Sequence, residues 1–291
     1  SRADRAPLPA QPQSADPGSY IFHDEFDGPA GSAPDPSKWL IQTWQDEVYP
    51  PVQGIYRDDR RNIFQDGNSN LVMMATHDMN QYFGAKLRGI WRGMINQTWE
   101  ARIKLDCLTP GCWPAFWAVN EDPLPDGEVD VFEWYGNNQW PPGTTVHAAS
   151  NGKTWEGKSI PGMVDNAWHT WRMHWGEDGF SFWRDYVDGA EPYFHVPPNP
   201  IQVSGRPGDL RWPFSIPGYW MQPMFTLAVG GPAGRRLLRV VVSDHGPDGA
   251  ASAFWPRNRR SGGWSWMQAV WENLRRVPSQ FSVGVALGYD G

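Results

Sequence analysis

The chain has 291 residues, a mass of 32.9 kDa, a formal net charge of -7 and a pI near 5.5, a balance that argues against nucleic acid or an anionic membrane as its main partner. No apolar run approaches the roughly 20 residues that span a bilayer, and the length suits one large β domain or two smaller ones. The counts of 19 Trp, 31 Gly and 28 Pro point to many strands joined by turns. They also give more tryptophan than a core of this size needs, which suits a surface that stacks on a flat, weakly polar partner.

In chain order, "SRADRAPLPAQPQSADPGS" (1–19) lacks periodicity and reads as a flexible leader. A chain that begins at Ser1 rather than Met is expected to have lost an export signal before it, and the protein is therefore expected to be secreted. "HDEFD" (23–27) reads as a strand end with solvated acids, with an oxygen ligand for calcium as the alternative. Period-two runs follow at "NLVMMAT" (70–76), "WEARIKL" (99–105), "WPAFWAV" (113–119), "TTVHAAS" (144–150), "WHTWRMHW" (168–175), "FSFWRDY" (180–186) and "MQPMFTLAV" (221–229). In the second of these Trp99, Ala101, Ile103 and Leu105 share one face, and Glu100, Arg102 and Lys104 take the other. Turn signals such as "QDGNSN", "GEDGF" and "VDGAEP" separate the runs. The pattern predicts an all-β sandwich or jelly roll, and no repeat of fixed period favours a propeller or solenoid.

Cys107 and Cys112 flank a Thr-Pro-Gly turn, so a local disulfide is expected there, with two free thiols as the alternative. The short loop limits what such a bond contributes to stability, and nearby ligands for zinc are lacking. Beyond Gly231 the character changes: residues 232–276 carry eight Arg and no Lys. The strand pattern is poor after Val242, and "WSWMQAVWENLRR" (264–276) has the spacing of a short amphipathic helix.

The informative stretch is "GEVDVFEWYG" (127–136). Val129, Val131, Phe132 and Trp134 favour a half-buried strand, yet Glu128, Asp130 and Glu133 interrupt it with acids that repel and are costly to desolvate. Residues two apart on a strand share a face, so Glu128 and Asp130 point together and strict alternation sends Glu133 to the other side. A β-bulge at Val131–Phe132 adds one residue and brings Glu133 back to the face of the other two. Two opposed carboxyls are the minimum set for cleaving a glycosidic bond, one attacking the anomeric carbon and the other acting as acid and then base. A surface acidic strand would rarely carry Val, Val, Phe and Trp in the gaps, and a calcium site more often uses loop oxygens.

With these motifs the chain resembles glycoside hydrolase family 16, in its laminarinase-like, bacterial endo-β-1,3-glucanase branch. The resemblance runs from Phe22 to Gly231 through "FHDEFDG" (22–28), "DGNSNLVMMAT" (66–76), "WEARIKL", "WPAFWAV", "GEVDVFEWYG", "TTVHAAS", "WHTWRMHW" and "LAVGG" (227–231). It implies a β-jelly roll of two curved antiparallel sheets with an open cleft on the concave face. It also implies Glu128 as nucleophile, Glu133 as acid/base and Asp130 as the assisting acid between them. Trp113 and Trp117 match cleft tryptophans that stack on glucosyl rings, and His147 matches a histidine that reaches the cleft. Trp134 faces either the cleft or the core. "DEVYPPVQGIYRDDRRN" (46–62) then becomes a loop near the cleft, with Tyr56 and Arg57 as candidate sugar contacts.

Two departures stand out. Thr226 occupies the place of a family Asn before "LAVGG", and after Gly231 the family's final strand is not recognisable. "LLRVVVSDH" (237–245) is a candidate substitute, and a frame-shifted reading of a GC-rich gene is the other account of the arginine-rich tail. The expected organisation is a leader at 1–19, a jelly-roll domain at 20–242 and an atypical, poorly packed tail at 243–291. The expected activity is hydrolysis of internal β-1,3 bonds of laminarin-type glucans with retention, by a monomer that needs no cofactor for the chemistry, with structural calcium as an option. A glucan-binding lectin-like module, a transglycosylase and a galactan hydrolase are the rivals on the same fold. His169 and His174, five apart on one strand, face opposite ways and make a poor metal pair, and the signatures of zinc proteases, serine hydrolases and phosphate-binding loops are missing.

Overall fold

The alternation seen in the sequence becomes two sheets packed face to face. The computed structural model describes residues 20–43, 54–78, 81–120, 127–149, 154–198, 201–202, 210–230 and 279–288. In chain order the strands are β1 (Tyr20–Asp24), β2 (Trp39–Gln42), β3 (Ile55–Tyr56), β4 (Ile63–Gln65), β5 (Leu71–Asp78), β6 (Gln81–Gly89), β7 (Gln97–Leu105), β8 (Cys112–Val119) and β9 (Glu128–Glu133). They continue with β10 (Gly143–Ala149), β11 (Thr154–Ser159), β12 (Trp168–Gly176), β13 (Gly179–Arg184), β14 (Phe194–Val196), β15 (Ile201–Gln202), β16 (Leu210–Arg211), β17 (Gln222–Val229) and β18 (Ser279–Gly288). Helix is limited, among the described residues, to the 3-10 turn Pro213–Ser215, so none there is long and apolar enough to cross a membrane.

One layer runs β2-β6-β17-β8-β9-β10-β11 and the other β5-β18-β7-β12-β13-β14, with β4 on β5 and β1 on β18. The β5–β6 hairpin, paired at Thr76↔Phe83 and His77↔Tyr82, joins the layers. Pairing is antiparallel throughout the described strands except for β3 on β6. Apolar faces close on each other: Phe116 stacks on Phe225 at 4.9 Å, and Phe132 of β9 meets Trp171 of β12 at 4.8 Å. All four rings are fully buried, each contributing about 1.5–3 kcal/mol. Trp99, Ala101, Ile103 and Leu105 are buried while Glu100, Arg102 and Lys104 are half-exposed, as the alternation predicts. The inward pull of Val129, Val131 and Phe132 turns the opposite face of β9 outward.

One boundary is corrected. Ser279–Gly288, inside the expected unpacked tail, is strand β18, paired with β7 along Phe281–Gly288 and with β5 along Ser279–Val283. "SQFSVGVALG" has the β-branched and small residues for this place between two neighbours. The leader at 1–19, the candidate strand 237–245 and the candidate helix 264–276 lie outside the described residues.

Candidate active site

The extra residue expected in β9 is present. Against β8, Ala115 pairs with Glu133, Phe116 with Phe132 and Trp117 with Asp130, which leaves Val131 unopposed. Against β10 the same shift falls between Gly143↔Glu133 and Thr145↔Asp130. A bulge takes a carbonyl out of the ladder, and a buried carbonyl left alone is costly. Here Val131 O accepts from the Thr144 hydroxyl at 2.8 Å, and Thr144 in turn accepts from Tyr193 Oη at 2.7 Å. Thr144 is fully buried, so this two-hydroxyl clamp fixes the bulge from inside. The start of the strand is fixed by close packing: a Cβ on Gly127 would lie 2.6 Å from Tyr219 Oη and 2.8 Å from Phe214 Cε1.

The bulge delivers Glu128, Asp130 and Glu133 to one face. Asp130 lies within hydrogen-bonding reach of both glutamates, so the two glutamates flank a single carboxyl. His147, opposite Glu128 on β10, brings Nε2 to 2.8 Å from Asp130 Oδ2. Burial and the neighbouring Asp130 push Glu128 up to about 8. Burial and Glu133 raise Asp130 well above the usual carboxylate range, and burial and Glu128 raise Glu133. Three carboxyls crowded around the buried Asp130 cannot all ionise readily, and the cluster shares protons. Glu128, Asp130 and His147 also place one ligand atom each within 4.8 Å of one another, the spacing of a cation site among the described residues.

The tryptophans differ in role. Trp113 donates its indole N–H to Glu133 Oε1 at 3.2 Å, and Tyr135 donates its hydroxyl to Glu133 Oε2 at 3.0 Å. Trp117 donates to Thr226 Oγ1 at 3.2 Å, so Thr226 fixes the orientation of that indole. Trp134 is half-buried past the end of β9, with Cζ3 3.0 Å from where a Cβ on Gly136 would lie. Lys86 of β6, which sequence reading missed, is buried with Nζ 5.3 Å from the Trp117 ring and 5.8 Å from that of Tyr56. Its charge favours ionised Glu128.

Other expectations change. Tyr56 is 1 % exposed and packs with Ala228 under Trp113, because its strand β3 lies along β6 in the sheet. Arg57 lies 3.6 Å over the Phe83 ring and bonds Asn62. The buried Tyr56 ring is therefore closed to a sugar, whereas the Arg57 side chain stays partly exposed. Asp24 accepts from Phe26 N–H and the Trp39 indole with separate oxygens, at 2.8 and 2.7 Å, which makes it a structural acid. Cys107 and Cys112 are free thiols rather than the expected disulfide, and both are buried. Burial pushes the Cys107 thiol well up, so the reactive thiolate is suppressed.

A two-layer jelly roll with an acid triad on one bulged strand defines a carbohydrate-cleft protein of the glycosidase type. Residues 56–198 match glycosyl hydrolases family 16. The structure is similar to that of an immunostimulatory antigen and pseudo β-1,3-glucanase of Mycobacterium tuberculosis, at 42% identity and a TM-score of 0.73, covering 94% of this chain and 100% of that one. It is also similar to a β-1,3-glucanase from Mycobacterium marinum, at 41% identity and a TM-score of 0.70, with 94% and 100% covered. A β-1,3-glucan-binding protein of Penaeus monodon is 26% identical over 222 residues, 60% of this chain, and the match spans 56% of that relative. The chain belongs to glycosyl hydrolases family 16.

Proposed function

We propose that the protein is a secreted, retaining endo-β-1,3-glucanase acting on laminarin-type glucans. The observation that carries the reading is the intact triad, with Glu128 and Glu133 on either side of Asp130 on one face of β9. Ionised Glu128 attacks the anomeric carbon while Glu133 gives its proton to the departing glycosidic oxygen, leaving a glycosyl ester on Glu128. Glu133, now a carboxylate, takes a proton from water as that water attacks the same carbon, and Glu128 leaves as a carboxylate. Lys86 and His147 favour ionised Glu128, and Trp113 and Tyr135 hold both oxygens of Glu133 in place. The two-carboxylate route draws on no cofactor.

Binding without turnover is the second reading, favoured by the pseudo-glucanase and the glucan-binding protein among the relatives. Reducing-sugar release from laminarin separates the two. Release by the unmodified protein that vanishes in Glu128→Gln supports hydrolysis. Laminarin binding with no new reducing ends in the unmodified protein overturns it.

A further inference from the structure

Beyond Glu133 the chain turns at Gly136, and the turn is held rigidly. Gly136 has φ +60, and a Cβ there would lie 2.2 Å from Cys112 O, so only glycine fits without strain. Gly136 O accepts from Gly111 N–H at 3.1 Å. Buried Asn137 accepts with Oδ1 from the backbone N–H groups of Gln139 and Trp140, at 3.0 and 2.9 Å. This scaffold presents Trp140, which is 54% exposed. Solvent exposure of so large a ring on a fixed loop leaves apolar area uncovered that a ligand ring can bury.

The position of Trp140 is informative. Its ring meets Tyr135 edge to face at 5.4 Å and 85°, and Tyr135 Oη is 3.0 Å from Glu133 Oε2. One tyrosine therefore separates Trp140 from the acid/base. Trp113 and Trp117 stand on β8, to one side of β9, whereas Trp140 belongs to the loop that leads to β10 on the other side. Exposed or half-exposed tryptophans are thus carried both by β8 and by the loop between β9 and β10.

We propose that Trp140 is a further sugar-stacking platform, taking a glucosyl ring of a β-1,3-glucan on the β10 side of the scissile bond, with Tyr135 linking that platform to Glu133. The proposal rests on the glucan-cleft reading above and adds to it the extent of the bound chain. An oligosaccharide covering the acids then needs rings on both sides, which suits attack inside a polymer.

The test is calorimetric titration of the full chain carrying Glu128→Gln, with and without Trp140→Ala, against β-1,3-linked glucose oligomers of two to six units. Trp140→Ala is expected to weaken binding of the longest oligomers about five- to tenfold and to leave the shortest that bind unchanged. Trp140→Phe is expected to recover most of the loss. Equal affinity at every length in Trp140→Ala overturns the platform and leaves the glucanase reading standing, and an equal loss at every length overturns it as well. If the Glu128→Gln protein binds no oligomer, both the platform and the glucan-cleft reading fall. Length-dependent binding in a protein that never releases reducing sugar supports the platform while hydrolysis alone fails.

Discussion

Two clusters of carboxylate and imidazole in this molecule use the same groups and reach opposite chemistry. In the cleft, Asp130 meets His147 at 2.8 Å, with Glu128 and Glu133 beside it, and burial is the largest influence on all three acids, driving them toward the protonated form. On the surface, His169 is held by Asp165 at 2.8 Å and Asp185 at 2.6 Å. There Asp165 is held below its ordinary range, first by the Ala167 backbone N–H and then by His169. The carboxylate–imidazole contacts are nearly matched, so burial first, and then the crowding of three carboxyls, makes the difference. Water stabilises the exposed charges, whereas the cleft forces its acids to share protons, which acid/base work requires.

The sharpest way to break the comparison is to neutralise one acid in each cluster. Glu133→Gln is expected to lower kcat on laminarin by about 10²–10⁴-fold, and Asp165→Asn is expected to leave it within about twofold, as initial rates would report. Equal effects would mean that burial does not set the difference.

The contrast was partly legible in the sequence. The E-x-D-x-x-E spacing foretold the bulge, and alternation foretold which side chains of β7 are buried. The groups that tune the site were not legible, because their partners are distant in sequence: Thr144 and Tyr193 meet at Val131 O across folded strands. Lys86 escaped because "QYFGAKLRG" carries glycine and two cations that blur its period. Tyr56 was misplaced because a two-residue strand beside β6 leaves almost no pattern. β18 was missed because an arginine-rich stretch hid ten residues with strand composition behind it.

The pH profile sharpens the same point. With Glu128 pushed up to about 8 by burial and Asp130, its ionised form grows as pH rises toward 8, so kcat/KM is expected to change steeply between about pH 5 and 8 rather than at the ordinary carboxylate range. A plateau already reached at pH 5 would contradict the buried cluster.

Stability should move the other way. Folded Glu128 keeps its proton up to about pH 8, while the unfolded group releases it near 4.5. The folded state therefore binds more protons between those values, and its stability falls as pH rises through that window. Glu128→Gln removes this loss, so its Tm should exceed the parent's at pH 8, by about 2–4 °C for each kcal/mol relieved, with the gap closing below pH 4. Thermal melts across that range check it.

The bulge clamp gives a smaller effect. Thr144→Val leaves Val131 O without its donor and should cost about 1–3 kcal/mol, with kcat falling more than KM rises and with Thr144→Ser restoring both. At the small end, Asp165→Asn should change stability by no more than about 1 kcal/mol, a change that salt reduces further.

The central claim is that Glu128 and Glu133 flank Asp130 closely enough for a covalent, double-displacement reaction. Proton NMR of the first sugar released from a β-1,3-glucan tests this most directly. The account predicts the β anomer at early times, converting to α only by slow mutarotation, and no product from Glu128→Gln. Early α product, or bound glucan with no product from the unmodified protein, would contradict it.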